Sequence, residues 1–173
     1  MKLSAVALAV ALVSALVPGS TRAAQTAVQY APGWNLVGGP PGTDLSSAEA
    51  LFVYRTGAYA TAGGTATTVC QGYWAYFPAP TVVTLAPAAD ATQTCTLQAG
   101  WTMVGNPLDQ PAALPPSLDA AAWDPISGRY VRPTAIPPGG AIWVYSSGAS
   151  TLTFQPGKQG QFAQIDGRTS GSL

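Results

Sequence analysis

Histidine is absent from the chain. That removes the Ser-His-Asp and Cys-His constellations and the usual zinc donors together. Charge is scarce as well, with seven basic and seven acidic side chains in 173 residues. Lysine stands only at positions 2 and 158, and Lys158 lies in a Gly/Gln-rich stretch that offers no buried site for a Ser-Lys dyad. Five cations beyond residue 23 cannot neutralise many phosphates, so nucleic-acid and anionic-lipid binding are not expected. No D-x-D run or acid cluster is present to surround calcium. The seven carboxylates are scattered, and each has a structural reading. Glu49 completes a capping box with Ser46, Asp124 opens a turn, and Asp44 and Asp119 flank short predicted helices. Asp90, Asp109 and Asp166 fall in predicted loops, so no facing pair for glycoside hydrolysis emerges. The expectation is a protein without catalytic residues, metal or cofactor.

Cysteine is equally sparse: Cys70 and Cys95 are the whole complement. They lack the C-x-x-C spacing of a redox pair, and two cysteines in an exported chain allow one disulfide. Export is expected from the opening residues. Lys2 precedes an apolar run from Leu3 to Val17, Pro18-Gly19-Ser20 breaks it, and Thr21 and Ala23 suit cleavage after residue 23. The run is shorter than the ~20 residues of a membrane-spanning helix. Cleavage would leave five basic and seven acidic side chains, a mildly acidic protein. The closing residues QPGKQGQFAQIDGRTSGSL are polar, so no membrane attachment is expected after cleavage, and the location expected is extracellular or periplasmic.

What the chain does have is a near-duplicate of itself. GWNLVGGP at 33–40 returns as GWTMVGNP at 100–107. Upstream, AVQYAPGW (27–34) matches TCTLQAGW (94–101), placing Val28 opposite Cys95. Downstream, FVYRTGAYA (52–60) matches AAWDPISGRYV (121–131), QGYWAYF (71–77) matches GAIWVYS (140–146), and VTLAPA (83–88) matches LTFQPG (152–157). Five blocks in the same order are the mark of an internal repeat. The alternation in WNLV, WTMV, TVVTL and STLTF predicts strands, and RTGA and DPISGR predict hairpin turns. SSAEALF (46–52) and SLDAAAW (117–123) are read as short helical turns, and 61–70 and 107–117 as loops. The fold expected is all-β: two tandem five-stranded repeats, each an SH3-like barrel or half of a shared sandwich, related by a pseudo-twofold. The boundaries are a signal peptide over 1–23, modules over 24–92 and 93–157, and a polar tail over 158–173.

The order GWNLVG, hairpin tyrosine, GYWAY, Thr-rich strand resembles tandem β-repeat modules of bacterial secreted and cell-surface proteins, over roughly residues 27–157. That resemblance implies an extracellular location and a modular β architecture, and no defined activity. The second copy departs from it where GAIWVY replaces GYWAY, which bears on any role for Tyr73.

Aromatics are the feature suited to binding: five Trp and seven Tyr, each a flat apolar face with a polar edge. Trp34/Trp101 and Trp74/Trp143 recur at matching places, which favours packing inside a shared scaffold. Tyr73 and Trp123 have no like partner and are the candidate ligand-binding residues. Alternation sets Tyr73/Ala75/Phe77 against Trp74/Tyr76, and Ile142/Val144 against Trp143/Tyr145, without saying which set faces inward. The function expected is a secreted, non-catalytic module binding glycan or cell-envelope polymer through aromatics. The alternatives are a structural or adhesive protein that meets an envelope protein, and a hydrolase inhibitor presenting the loop 107–117.

Overall fold

The computed structural model describes residues 25–156 and 164–166. The signal-peptide reading of 1–23 and most of the tail 158–173 lie outside the described residues. Among the described residues the fold is all-β, with no helix, in several small antiparallel sheets. The first half contains β1 (Ala27–Tyr30), β2 (Gly33–Val37), β3 (Ala50–Arg55), β4 (Ala58–Thr61), β5 (Tyr73–Phe77) and β6 (Thr81–Thr84). The second contains β7 (Gln93–Leu97), β8 (Gly100–Gly105), β9 (Ala112–Ala113), β10 (Ala120–Asp124), β11 (Arg129–Val131), β12 (Ala135–Ile136), β13 (Ala141–Ser146) and β14 (Ser150–Phe154). A last strand, β15 (Gln164–Asp166), pairs with β14.

Two four-stranded sheets dominate, ordered β2-β5-β3-β4 and β8-β13-β10-β11. Each is backed by a smaller sheet, β1-β6 in the first half and β7-β14-β15 in the second. No sheet closes into a barrel, because β1 and β6 pair with each other rather than with the edges of the larger sheet. The expected five strands per half are not what forms. The first half has six, and the second adds the short β9-β12 ribbon and β15.

The two predicted helical turns are strands. Ala50–Arg55 alternates Leu51 and Val53 with Phe52 and Tyr54, and it zips onto both β4 and β5. Ala120–Asp124 is alanine-rich, yet it pairs with β13 through Ala120–Val144 and Ala121–Trp143. Local helix preference is worth tenths of a kcal/mol per residue, which sheet pairing and two-sided packing outweigh. Ser46 caps no helix; Asp44 accepts its amide at 2.9 Å and its hydroxyl at 2.8 Å, closing a turn instead. The DPISGR turn forms as expected, with Gly128 at φ 64° and its amide bonded to the Asp124 carbonyl at 2.9 Å.

Three apolar regions hold these layers. One, with Tyr30, Val37, Leu45, Val53, Tyr73 and Phe77, fills the space between β1-β6 and the first large sheet. Another, with Leu97, Val104, Leu108, Ile142, Val144 and Phe154, does the same in the second half. The third lies between the two large sheets, where Leu36, Met103, Ala141 and Trp143 meet Tyr54, Trp74, Ala121 and Trp123. There β10 lies against β2 and β3 against β8.

The sixth residues of the repeated octapeptides, Gly38 and Gly105, cross at this seam. A Cβ on Gly38 would stand 2.5 Å from the Gly105 Cα, and one on Gly105 would collide with the Gln71 carbonyl. Only glycine lets the two backbones approach so closely. Around this point Val37 bridges Gly140 and Val104 bridges Gln71.

Two cross-ties flank the crossing. The Cys70–Cys95 disulfide, with Cα atoms 5.4 Å apart, joins the lead-in to β5 with β7. On the opposite side the buried Tyr30 hydroxyl donates to the Gly139 carbonyl at 2.7 Å, joining β1 to the lead-in of β13. Gly139 stands where Cys70 stands in the other half; both have positive φ, at 72° and 64°. A Cβ there would sit 2.7 Å from the Tyr30 oxygen and 3.1 Å from Val28 Cγ2, so this tie excludes a side chain.

Candidate functional site: an aromatic cleft between two sheets

Strand register decides which rings meet. In the first large sheet Trp34 lies opposite Tyr76, Leu36 opposite Trp74, Phe52 opposite Trp74, and Tyr54 opposite Tyr59. These side chains share one face. The other face carries Val37, Val53, Tyr73, Ala75 and Phe77 and packs into the first core. In the second sheet Trp101 lies opposite Tyr145, Met103 and Ala121 opposite Trp143, and Trp123 opposite Tyr130. Ile142 and Val144 point the other way, into the second core. The aliphatic set is therefore interior and the aromatic set lines the seam.

This placement reverses the sorting read from the repeat. Tyr73 is 4 % exposed and sits among core residues, with its hydroxyl accepting the Thr68 amide at 3.1 Å. It does not reach the aromatic face, because residue alternation sends it to the side opposite Trp74. Trp123 does reach it, half-buried, and its Nε1–H donates to the Trp34 carbonyl at 2.9 Å. The expectation that Trp34 and Trp101 are packed inside is overturned: they are 41 % and 45 % exposed. Trp143, by contrast, is 8 % exposed at the centre of the seam. Recurrence in both halves points Trp34 and Trp74 towards packing rather than the cleft, and nothing in the sequence singles out Phe52 or Tyr59. The usable clue was Ile142/Val144, a purely aliphatic phase marking the inward side.

Five of these rings, Trp34, Phe52, Tyr59, Trp74 and Trp123, enclose an open cleft of about 430 Å³. Trp34 and Trp74 lie 6.3 Å apart at 88°, Trp74 and Trp123 5.4 Å apart at 75°, and Trp34 and Phe52 5.9 Å apart at 43°. Edge-to-face pairs of this kind hold one another by quadrupole attraction. The Trp74 Nε1–H points to the Tyr59 hydroxyl at 3.3 Å. No carboxylate, amide side chain or cation lines the cleft.

A second cleft of about 440 Å³ is lined by Tyr54, Tyr59, Trp101, Ala121, Tyr130 and Trp143. Its geometry parallels the first. Tyr54 meets Trp143 edge-on at 4.9 Å, as Trp123 meets Trp74. Trp101 meets Tyr145 at 5.4 Å, as Trp34 meets Tyr76 at 5.3 Å. Trp123 meets Tyr130 at 5.3 Å, as Tyr54 meets Tyr59 at 5.2 Å. Partial desolvation pushes the Tyr130 hydroxyl above its ordinary pKa.

Elsewhere, among the described residues, no three metal-ligating side chains converge. Asp44 and Asp124 are held below the usual carboxylate range by hydrogen bonds, from Ser46 and from Ser127 and the Ile126 amide respectively. Both form turns, and neither lines a cleft. The Pro-rich stretch 107–117 does not project; Leu108, Ala112 and Leu114 are part of the second core.

The chain matches no protein-family model, and neither a curated protein nor a solved structure matches it.

Proposed function

We propose that this protein is an exported, non-catalytic module, built of two descendants of one ancestral β unit, that binds a cell-envelope polymer or glycan through its aromatic clefts. The supporting observation is the first cleft: five rings drawn from both large sheets, left open to solvent, on a face that could have been aliphatic. Contiguous exposed apolar surface on a water-soluble fold is characteristic of an interaction site. The correspondence of the two clefts, ring pair by ring pair, supports the duplicated origin and a pseudo-twofold between the halves. The disulfide is consistent with an oxidising, extracellular or periplasmic location. Secretion, as a repeat module of the cell-surface type, is the context this reading requires.

The test is sedimentation of the cleaved protein with insoluble envelope preparations and purified polysaccharides. Retention is expected, with loss of most of it in Trp34→Ala and Trp123→Ala and none of it in Tyr73→Phe. Melting curves identify any variant that fails by unfolding. Absence of retention on every polymer, together with a defined complex with an envelope protein, would move the assignment to the adhesive alternative.

A further inference from the structure

We infer that the first cleft is a cage for a quaternary ammonium group of the choline type, which rests on the binding role proposed above and names the chemistry it recognises. Three features of the site carry the inference. The first is orientation. Trp34, Trp74 and Trp123 stand at 88° and 75° in succession, so the rings form walls facing different directions rather than one platform. A sugar ring stacks on a flat face; a roughly spherical head makes use of several faces at once.

The second feature is the chemistry of the lining. It is entirely aromatic, and two of its three indole N–H groups are already spent, on the Trp34 carbonyl and the Tyr59 hydroxyl. A primary ammonium or a hydroxyl-rich sugar entering it would exchange water partners for few replacements, which is unfavourable. A trimethylammonium head has no N–H to satisfy. Its charge is spread over methyl groups that the negative faces of Trp and Tyr attract. No cation lines the cleft to oppose it.

The third feature is the internal comparison. In the second cleft Ala121 stands where Phe52 stands in the first and Tyr54 where Trp123 stands, so it offers two indole faces where the first offers three. It should hold the same head more weakly.

Tryptophan fluorescence of the intact protein, titrated with choline chloride, reads the prediction. A saturable change is expected, at least about fivefold weaker with 3,3-dimethylbutan-1-ol, the neutral isostere, because the charge supplies part of the attraction. Trp34→Ala should weaken choline binding about tenfold, Phe52→Ala should reduce it towards the affinity of the second cleft, and Val82→Ala, at an exposed position outside both clefts, should leave it within about twofold. The Phe52 variant keeps the test decisive if Trp34→Ala does not fold. Retention on a resin bearing choline ethers supports recognition of a polymer-borne substituent. Binding of free choline without retention supports the cage with a soluble ligand. Equal binding of the isostere would overturn the inference. So would the absence of any choline response in a protein that still sediments with polysaccharide, an outcome that leaves the binding function standing. Loss of both would defeat the two together.

Discussion

Gly38 and Gly105 show how much a single missing side chain can carry. They are the sixth residues of the two repeated octapeptides, and their backbones meet with no room for a methyl group. Gly38→Ala is expected to cost about 1–3 kcal/mol, the usual range for overpacking a filled interior, because the atoms opposite belong to backbone and cannot rotate away. Urea unfolding of the variant measures it. Tyr30 is a second such point. Burial pushes its hydroxyl well above the ordinary tyrosine value of 10.0, and the same hydroxyl satisfies the Gly139 carbonyl. Tyr30→Phe should cost about 1–3 kcal/mol through the carbonyl left buried without a partner. Since the folded-state value is the raised one, the stability tied to this group is intact below pH 10 and declines as pH rises beyond it. Alkaline melting curves of the wild type and the Phe variant should therefore converge. Tyr73 teaches the opposite lesson. Its lack of a like partner in the second half made it a binding candidate, whereas the unpaired aromatic is simply a larger core side chain where the other half uses Ile142.

Strands and turns were mostly readable from alternation and from turn chemistry. GWNLV, YWAYF, GWTMV, AIWVYS and STLTF all form strands, and the DPISGR hairpin closes with the residues that its sequence indicates. The failures were SSAEALF and SLDAAAW, where a capping pattern and alanine content point to helix but the neighbouring β5 and β13 impose pairing. The hairpin also yields a pH prediction. Hydrogen bonds from Ser127 and the Ile126 amide favour the charged form of Asp124, so the folded-state pKa is the lower one. Its stabilisation is present above the unfolded-state value and disappears as pH falls through the folded-state value. The melting difference between wild type and Asp124→Ala should be constant near neutrality and shrink below pH 3.8, the ordinary value for the group.

The two halves are tied across their seam by unlike devices at matching places: a disulfide on one side, a tyrosine hydrogen bond on the other. Replacing both Cys70 and Cys95 by alanine should lower stability by about 3 kcal/mol on the chain-entropy account of a loop spanning 25 residues, read as a drop in urea midpoint. Without histidine, none of the side-chain types present has an ordinary pKa between about pH 5 and pH 8, so the melting temperature should be nearly flat across that window. A marked slope there would point to a group outside its ordinary range.

Composition and pattern alone settled the class of this protein. Alternation dictated strands, and two cysteines allowed one bond. These properties depend on residue type and local spacing, which a sequence states directly. The faces of the strands, and the cleft they make, depended on packing. Alternation divides a strand into two sets but is blind to which set meets a core, and here both faces of each large sheet are partly covered. Trp34 and Trp123 lie 89 residues apart and share a hydrogen bond only because two sheets come together. Such a meeting is a property of the folded chain, fixed where Gly38 and Gly105 let the backbones cross.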